Sequence, residues 1–402
     1  MRRAFLAPGL LLILVAIGGR YTLDRAGLVD LAWVDLRVIG LLIALAVLIL
    51  NAAELTDKKP GREGWIIAAL LFFLFQIASA LWAPPAARVG PQVLDLVLLG
   101  VLLVATYQYT TGDPETVIRF TFQLFFVAAI VYALAAIFIS GPGEQGRYSA
   151  FGGGPNVFAR IEVLGVISAI ALFMLTGRVL PLLVIPLFLL ATVLSGSRGT
   201  LVAGGVVGFA ALLKLRHRLS AAGIAASVVV SLVAVGLIGA LAPPEFTDLF
   251  QERFVEQTVQ EQYLSGRTDI WMAAVRLFAD HPIGGAGVDG FYGLIGVNQA
   301  VEYPHNYVLA VAAEGGLIGL GLLTVSVLLW TRIVRGGGRR PQLTGLAVAS
   351  AVFVALSGLF SGDYYDSRLA WMFAAMAAAA ALVAPPPAPS FPAPARMTAV
   401  AR

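Results

Sequence analysis

Apolar stretches recur along nearly the whole chain, at lengths close to those a helix needs to cross a lipid bilayer. A transmembrane helix takes about 17–25 residues. The pattern predicts spans near residues 4–19, 38–53, 65–82, 92–107, 117–140, 157–176, 179–195, 199–213, 220–242, 306–331, 342–360 and 370–384. The 402 residues are 59% hydrophobic and only 12% charged, whereas charged residues make up about a quarter of a soluble domain. We therefore predict an all-α polytopic integral membrane protein with about twelve transmembrane helices.

The positions of the basic residues predict the orientation of these helices. With the N-terminus inside, all lysines and most arginines fall in cytoplasmic segments, as the positive-inside rule requires. Both termini are then cytoplasmic. The predicted organisation is transmembrane helices 1–9 in residues 1–242, one large outer-face loop in 243–304, helices 10–12 in 305–384, and a disordered proline-rich cytoplasmic tail in 385–402.

The outer-face loop carries its own helical pattern. Apolar residues recur at helical spacing between Ile270 and Phe278, with Asp269 and Arg276 on other faces. This pattern predicts an amphipathic helix that ends at His281-Pro282, before the glycine-rich "IGGAGVDG". We expect the helix to lie on the membrane surface or to cap the helical bundle.

Four polar residues on the predicted outer face are candidates for chemistry. They are Arg147 in "GRYSAFGGGPNVFAR", Arg198 in "SGSRGT", Arg267 in "SGRTDIW" and His305 in "YPHNY". The planar guanidinium of arginine binds phosphate through two parallel hydrogen bonds and stays charged at any accessible pH. Several arginines at a membrane surface would suit a lipid-linked phosphate or pyrophosphate. The structural alternative is that each arginine simply reaches towards lipid headgroups.

Two of the arginines have local features that favour a functional role. Arg198 stands in a turn too short to leave it free in solvent, and an ionisable group at that depth needs a specific partner. Arg267 follows Ser265-Gly266 at a predicted helix start, where a cation opposes the helix dipole. Its side chain is therefore expected to act outside its own helix.

His305 follows Pro304, which favours an extended approach, and it precedes a transmembrane helix. With an ordinary pKa of about 6.5, histidine is the usual general base near neutral pH. The alternative is a helix-end histidine that bonds backbone or headgroups. Glu314 lies about half a turn off the face of His305 and is expected to contact a neighbouring helix instead.

We predict no metal site and no cofactor. The chain has no cysteine, which excludes disulfides and thiolate ligands. Its three histidines are scattered, and the nearest acidic pair on the outer face is Asp363 and Asp366 in "GDYYDSR". Nucleotide-binding motifs are missing from the sequence.

The motifs taken together resemble the O-antigen ligase family, which also includes related polymerases. The resemblance is carried, in order, by "RYSAFGGGPNVFA", "SGSRGTLVAG", "SGRTDIWMAAVRLFADHPIGGAGVDGF" and "PHNYVLAVAAEGGLIGLGLL", and it covers roughly residues 145–335. It implies a metal-independent glycosyltransferase of the bacterial inner membrane, with its active site on the periplasmic face. The implied donor is a glycan on undecaprenyl pyrophosphate and the implied acceptor is the lipid A-core oligosaccharide. Membrane lipids are the other expected partners, and nucleic acid is not expected.

Residue by residue, the family's functional arginines correspond to Arg198 and Arg267, and its histidine corresponds to His305. Arg147 corresponds to a more variable position. The resemblance implies direct displacement at the anomeric carbon. His305 would orient or deprotonate the acceptor hydroxyl, and the arginines would neutralise the departing pyrophosphate.

Other functions remain open on the sequence. A polymerase that extends the lipid-linked glycan would share the donor, the arginines and the membrane. A protein O-oligosaccharyltransferase is expected to carry a longer C-terminal region. A secondary transporter could also have twelve spans, but transporters place ionisable groups near the bilayer midplane. A structural lipid-binding protein would need the arginines without His305.

Overall fold

A computed structural model of the protein describes residues 12–19, 22–23, 29–31, 34–50, 64–143, 146–215, 267–299, 301–335 and 338–384. Five predictions lie wholly or partly outside these ranges: the start of the first span, the end of the second span at 51–53, the ninth span at 220–242, the outer-face loop up to residue 266, and the tail from 385.

Helices make up almost all of the described chain. Residues 12–18 are helical. The α-helices that follow are α1 Leu36–Leu50, α2 Gly64–Ala78, α3 Val89–Gly112, α4 Pro114–Ala135, α5 Pro155–Thr176, α6 Ile185–Leu194, α7 Arg198–Leu215, α8 Arg267–Asp280, α9 Tyr307–Val334, α10 Pro341–Gly358 and α11 Arg368–Leu382, with a single turn at Val297–Gln299. Short 3₁₀ or π turns extend or precede some of them, at Val29–Leu31, Ser79–Trp82, Ala136–Ser140, Leu180–Val184 and Tyr292–Gly296. Within the described ranges the extended backbone pairs only at two isolated bridges, Thr22–Asp35 and Pro142–Tyr148, so the all-α prediction is confirmed.

Six of these helical segments are long and apolar enough to cross a membrane. They are Gly64–Trp82, Val89–Gly112, Pro114–Ser140, Pro155–Thr176, Tyr307–Val334 and Pro341–Gly358. Shorter apolar helices lie at Leu36–Ala46, Leu180–Leu194, Arg198–Leu213 and Arg368–Leu382. Each corresponds to a predicted span, because long apolar runs leave the backbone no partner in lipid except its own helix. The total of about twelve spans stays a prediction.

The bundle packs around α11, whose sequence "RLAWMFAAMAAAAAL" is buried along most of its length. One core cluster joins α11 to α4, α5 and α10 through residues such as Phe125 and Phe353. A second joins it to α2, α3 and α9 through residues such as Phe72 and Val311. Small side chains let neighbouring helices approach closely without help from the hydrophobic effect, which is weak between helices in lipid. The run of alanines therefore suits the central position.

The longest helix, α9, is interrupted at Gly316, whose backbone angles (φ 59°, ψ −157°) are not helical. The interruption frees main-chain carbonyls just before it. The carbonyl of Ala313 accepts from the N–H of Ala286 at 2.9 Å, and that of Glu314 accepts from Gly287 at 3.0 Å. The predicted span over 306–331 corresponds to Tyr307–Val334, and the interruption is an addition that the sequence pattern does not show: the glycine pair Gly315-Gly316 lets another segment enter.

Main-chain N–H groups after the interruption find partners in the same segment. Leu317 donates to the carbonyl of Pro282 at 2.8 Å, and Ile318 donates to that of Ile283 at 3.2 Å. We call residues 282–287 the inserted segment. Its backbone supplies hydrogen bonds that a continuous helix would have made internally, which satisfies polar groups that are costly to leave unpaired in a membrane.

This joint has no room for side chains at two glycines. A Cβ on Gly285 would lie 2.2 Å from the carbonyl of Glu314, and a Cβ on Gly316 would lie 2.4 Å from the carbonyl oxygen of Ile283. Both residues also have positive φ, which favours glycine. The inserted segment directly follows α8, so the joint fixes α8 against α9.

Candidate active site

Arg147 lies against the turn that precedes α7. Its Nε donates to the carbonyl of Ser195 at 2.8 Å, and its second amino group donates to Asn156 Oδ1 at 3.2 Å. Ser197 Oγ donates to the same Asn156 oxygen at 2.9 Å. Arg147 and Asn156 therefore hold the short turn from which Arg198 begins α7.

Arg198 is partly buried at the first position of α7. The next residue, Gly199, lies so close to Phe360 that a Cβ there would be 2.3 Å from the Phe360 Cβ. The start of α7 thus packs directly on the turn that follows α10. This contact brings Arg198 to the same turn that Arg267 reaches from another helix.

Arg267 is the first residue of α8, and its Nη1 donates to the main-chain carbonyl of Phe360. Burial lowers the pKa of Arg267, and the charge of Arg198 lowers it further. The two guanidinium groups therefore share one electrostatic environment. Two like charges in a partly buried place attract an anion that can lie between them.

His305 stands between Pro304 and the N-cap of α9, with a positive φ of 56°. Asn306 caps the helix, its side-chain oxygen accepting from Val308 N at 3.0 Å and Leu309 N at 3.1 Å. The His305 ring packs on Tyr303, with ring centroids 4.3 Å apart. Because Asn306 supplies the N-cap, the imidazole of His305 is not needed to cap the start of α9.

The protonation state of His305 is set by its surroundings. Burial lowers its pKa to about 4, and the nearby charge of Arg267 lowers it as well. Its Nδ1 is buried and has no hydrogen-bond partner among the residues that the structure describes. The imidazole is therefore neutral at pH 7.

Tyr303 and Asp363 belong to the same environment, although sequence reasoning did not place them there. Burial raises the pKa of Tyr303, Asp363 raises it further, and Arg267 lowers it. Burial also raises the pKa of Asp363 to about 7. The motif "GDYYDSR" drew attention to Asp363 only as a metal ligand. Among the described residues no three histidine, aspartate or glutamate side chains are grouped closely enough to hold a metal ion.

The connection between α10 and α11, which carries Phe360 and Asp363, is anchored at the interrupted helix. Glu314 Oε2 accepts from Tyr364 OH at 2.6 Å and from Tyr365 OH at 2.7 Å. Tyr365 OH in turn accepts from the N–H of Asp289 at 2.7 Å. The side-chain hydrogen bonds of Glu314 therefore come from this connection and from the N–H of Phe291, and not from a neighbouring transmembrane helix as expected.

Asp289 fixes the segment after α8 to the start of α3. It is 2% exposed, and its carboxylate accepts from Arg88 Nε at 3.0 Å and from Gln92 Nε2 at 3.1 Å. The hydrogen bond to Asp289 raises the pKa of Arg88, and the opposite charge of Asp289 raises it further. A buried carboxylate with this many donors holds its segment firmly.

The fold and this arrangement define a multi-pass helical membrane protein with cationic side chains and a neutral imidazole gathered at one end of the bundle. The family model for O-antigen ligase (Wzy_C) matches residues 181–324. The match confirms, over that part of the chain, the resemblance seen in the sequence. It includes Arg198, Arg267 and His305, whereas Arg147 lies outside it. A search of curated proteins returned no match.

Proposed function

We propose that the protein is an O-antigen ligase that transfers a glycan from undecaprenyl pyrophosphate to the lipid A-core oligosaccharide on the periplasmic face of the bacterial inner membrane, without a metal ion. The observation that carries this proposal is the convergence of Arg198, Arg267 and His305 from α7, α8 and the start of α9. Two arginines in one electrostatic environment can bind a pyrophosphate. A neutral imidazole beside them can accept the proton of an acceptor hydroxyl.

In the proposed reaction the acceptor hydroxyl oxygen attacks the anomeric carbon of the donor. The new glycosidic C–O bond forms while the bond between that carbon and the pyrophosphate oxygen breaks. The hydroxyl proton passes to the imidazole of His305, and undecaprenyl pyrophosphate leaves with the electron pair. Arg198 and Arg267 bind the departing charge, and each such donor can be worth roughly 3–4 kcal/mol in the transition state. Arg147 supports them through the turn before Arg198.

The low pKa of His305 shapes this mechanism. An imidazole with a pKa of about 4 is neutral at pH 7 but is a weak base. A pyrophosphate bound between Arg198 and Arg267 would offset the cationic field and raise the pKa of His305. The donor would therefore strengthen the base only when it is bound, which couples deprotonation to the presence of substrate.

Deletion of the gene, followed by electrophoresis of the lipopolysaccharide, tests the reaction. A ligase predicts loss of all attached O-antigen together with accumulation of lipid-linked polymer. A single repeat attached to the core would instead identify a polymerase, and an unchanged ladder would contradict both.

Complementation of the deletion strain tests the site. His305→Ala should insert normally and fail to restore the ladder. His281→Ala is the matched control, because His281 is exposed at the end of α8. Full activity of His305→Ala would exclude His305 from the reaction.

A further inference from the structure

A cavity of about 460 Å³ lies where the first turns of α4 meet the end of α5. Thr116, Arg119 and Gln123 line it from α4, and Thr176 and Arg178 line it from the end of α5 and the residues after it. None of these residues has a part in the proposed reaction.

This cavity is at the opposite end of the bundle from the candidate active site. Helix α5 runs from Pro155 to Thr176, and Asn156, at its start, binds Arg147 and Ser197. At about 1.5 Å per residue the helix covers roughly 30 Å, which equals the thickness of the hydrocarbon core of a bilayer. The cavity therefore lies at the other membrane surface, which the distribution of basic residues predicts to be cytoplasmic.

The charge of the cavity is positive. Among the described residues, Arg119 and Arg178 are the charged residues that line it. The neighbouring acids face other partners: Glu115 pairs with Arg340 at 3.6 Å, and Asp113 caps α4 by accepting from Thr116 N at 3.2 Å. Within the described part of the chain, the two guanidinium groups therefore make this lining cationic, which favours an anion.

An apolar surface leads from the cavity towards the middle of the membrane. On α4, Val127 and Val131 follow Gln123 at intervals of four residues and are 54% and 47% exposed. On α5, the exposed Phe173 lies one turn before Thr176. Residues three or four apart share a helix face, so cationic and apolar surfaces join without a break.

We propose that this cavity binds the phosphate headgroup of an anionic glycerophospholipid, with one acyl chain lying along Val127 and Val131. Guanidinium groups bind phosphate oxygens in a bidentate fashion, and basic pockets between helices at the cytoplasmic surface suit anionic headgroups. Inorganic phosphate would share the headgroup chemistry. The adjoining apolar surface is the feature that favours a lipid.

Native mass spectrometry of the full-length protein, released from detergent with added lipid, tests the proposal. The probes are dioleoyl phosphatidylglycerol, its dihexanoyl analogue, dioleoyl phosphatidylcholine and inorganic phosphate. We expect one long-chain phosphatidylglycerol to stay bound at collision energies that remove phosphatidylcholine. Arg119→Gln/Arg178→Gln should weaken that binding at least tenfold.

The matched control is Arg332→Gln/Arg335→Gln. These two arginines are exposed near the end of α9, at the same end of the bundle, and their loss should leave the bound lipid unchanged. Equal losses in the two double variants would show that charge alone attracts lipid, and would overturn the site. Equal binding of the short-chain analogue, or displacement by inorganic phosphate at equal concentration, would overturn the lipid assignment. The readout is binding, so it is independent of the proposed glycan transfer.

Discussion

Measuring the pKa of His305 is the most direct test of the candidate site, because this pKa depends on two causes that can be changed separately. Burial is the larger cause of its lowered pKa, and the charge of Arg267 is the second. Replacing Arg267 with glutamine removes the charge and keeps a hydrogen-bonding side chain. The pKa of His305 should then rise from about 4 and still remain below the ordinary 6.5, since burial persists.

The size of the effect follows from the pKa. At about 1.4 kcal/mol per pH unit, the folded protein favours the neutral imidazole by about 3–4 kcal/mol relative to a solvent-exposed histidine. Unfolded chains take up this proton as the pH falls below 6.5, whereas the folded site does so only near 4. Stability from this group is therefore fully present above pH 6.5 and is lost as the pH falls towards 4.

Imidazole ¹⁵N NMR in detergent can follow this titration, because the chain has only three histidines. His217→Gln and His281→Gln identify the remaining signals. Arg276→Gln is the matched control for Arg267→Gln, since Arg276 is exposed on the same helix. Added inorganic pyrophosphate should raise the pKa of His305 in the wild type and do so less in Arg267→Gln.

An ordinary pKa of 6.5 for His305 in the wild type would refute the reasoning about burial. A pKa that is the same in wild type and Arg267→Gln would refute the coupling between the two residues. A pKa that pyrophosphate leaves unchanged would remove the proposed link between donor binding and the base.

Three further predictions concern the residues around the site. Arg198→Lys keeps the positive charge but loses the planar guanidinium group. Membrane vesicles with this variant should show at least tenfold less glycan transfer at an unchanged level of the protein. Full activity would exclude bidentate binding by Arg198. In Gly316→Ala the new residue must adopt backbone angles that cost about 1–3 kcal/mol, and its Cβ is pushed against the inserted segment. The variant should therefore unfold at a clearly lower temperature. Gly321→Ala is the control and should have no such effect, because Gly321 has open space around it. Arg88→Ala leaves the buried carboxylate of Asp289 without its charged partner and should destabilise the protein by about 3–5 kcal/mol. Adding Asp289→Ala should recover part of that loss. Strict additivity of the two changes would contradict the ion pair.

Sequence reasoning located the helices well because lipid imposes one local rule. An apolar run must satisfy its own backbone, so runs such as 157–176 and 342–360 predict Pro155–Thr176 and Pro341–Gly358 closely. The amphipathic pattern around Trp271 likewise predicts α8. In each case the signal lies within one segment.

The contacts that shape the site join distant segments, and spacing carries no information about them. The acceptor of Arg267 is the carbonyl of Phe360, a main-chain group in a turn 93 residues away. The pairing of Tyr364 and Tyr365 with Glu314 depends on the packing of α9 beside the α10–α11 connection. The sequence contains the glycines of "EGG" and "IGGAG", but nothing in either motif shows that the two segments pack against each other.

The inserted segment also relates the order of assembly to the order of synthesis. Residues 282–287 are made just before α9, so the joint at Gly316 needs no chain beyond α9. We therefore expect this joint to form first. Nascent chains that end after residue 335 would show it through a disulfide crosslink between cysteines introduced at Ala286 and Ala313. The protein has no other cysteine. The carbonyl of Phe360, which binds Arg267, is made only after α10. The candidate active site is then completed later than this joint, and a partly made chain holds its histidine in place before Arg267 finds its partner.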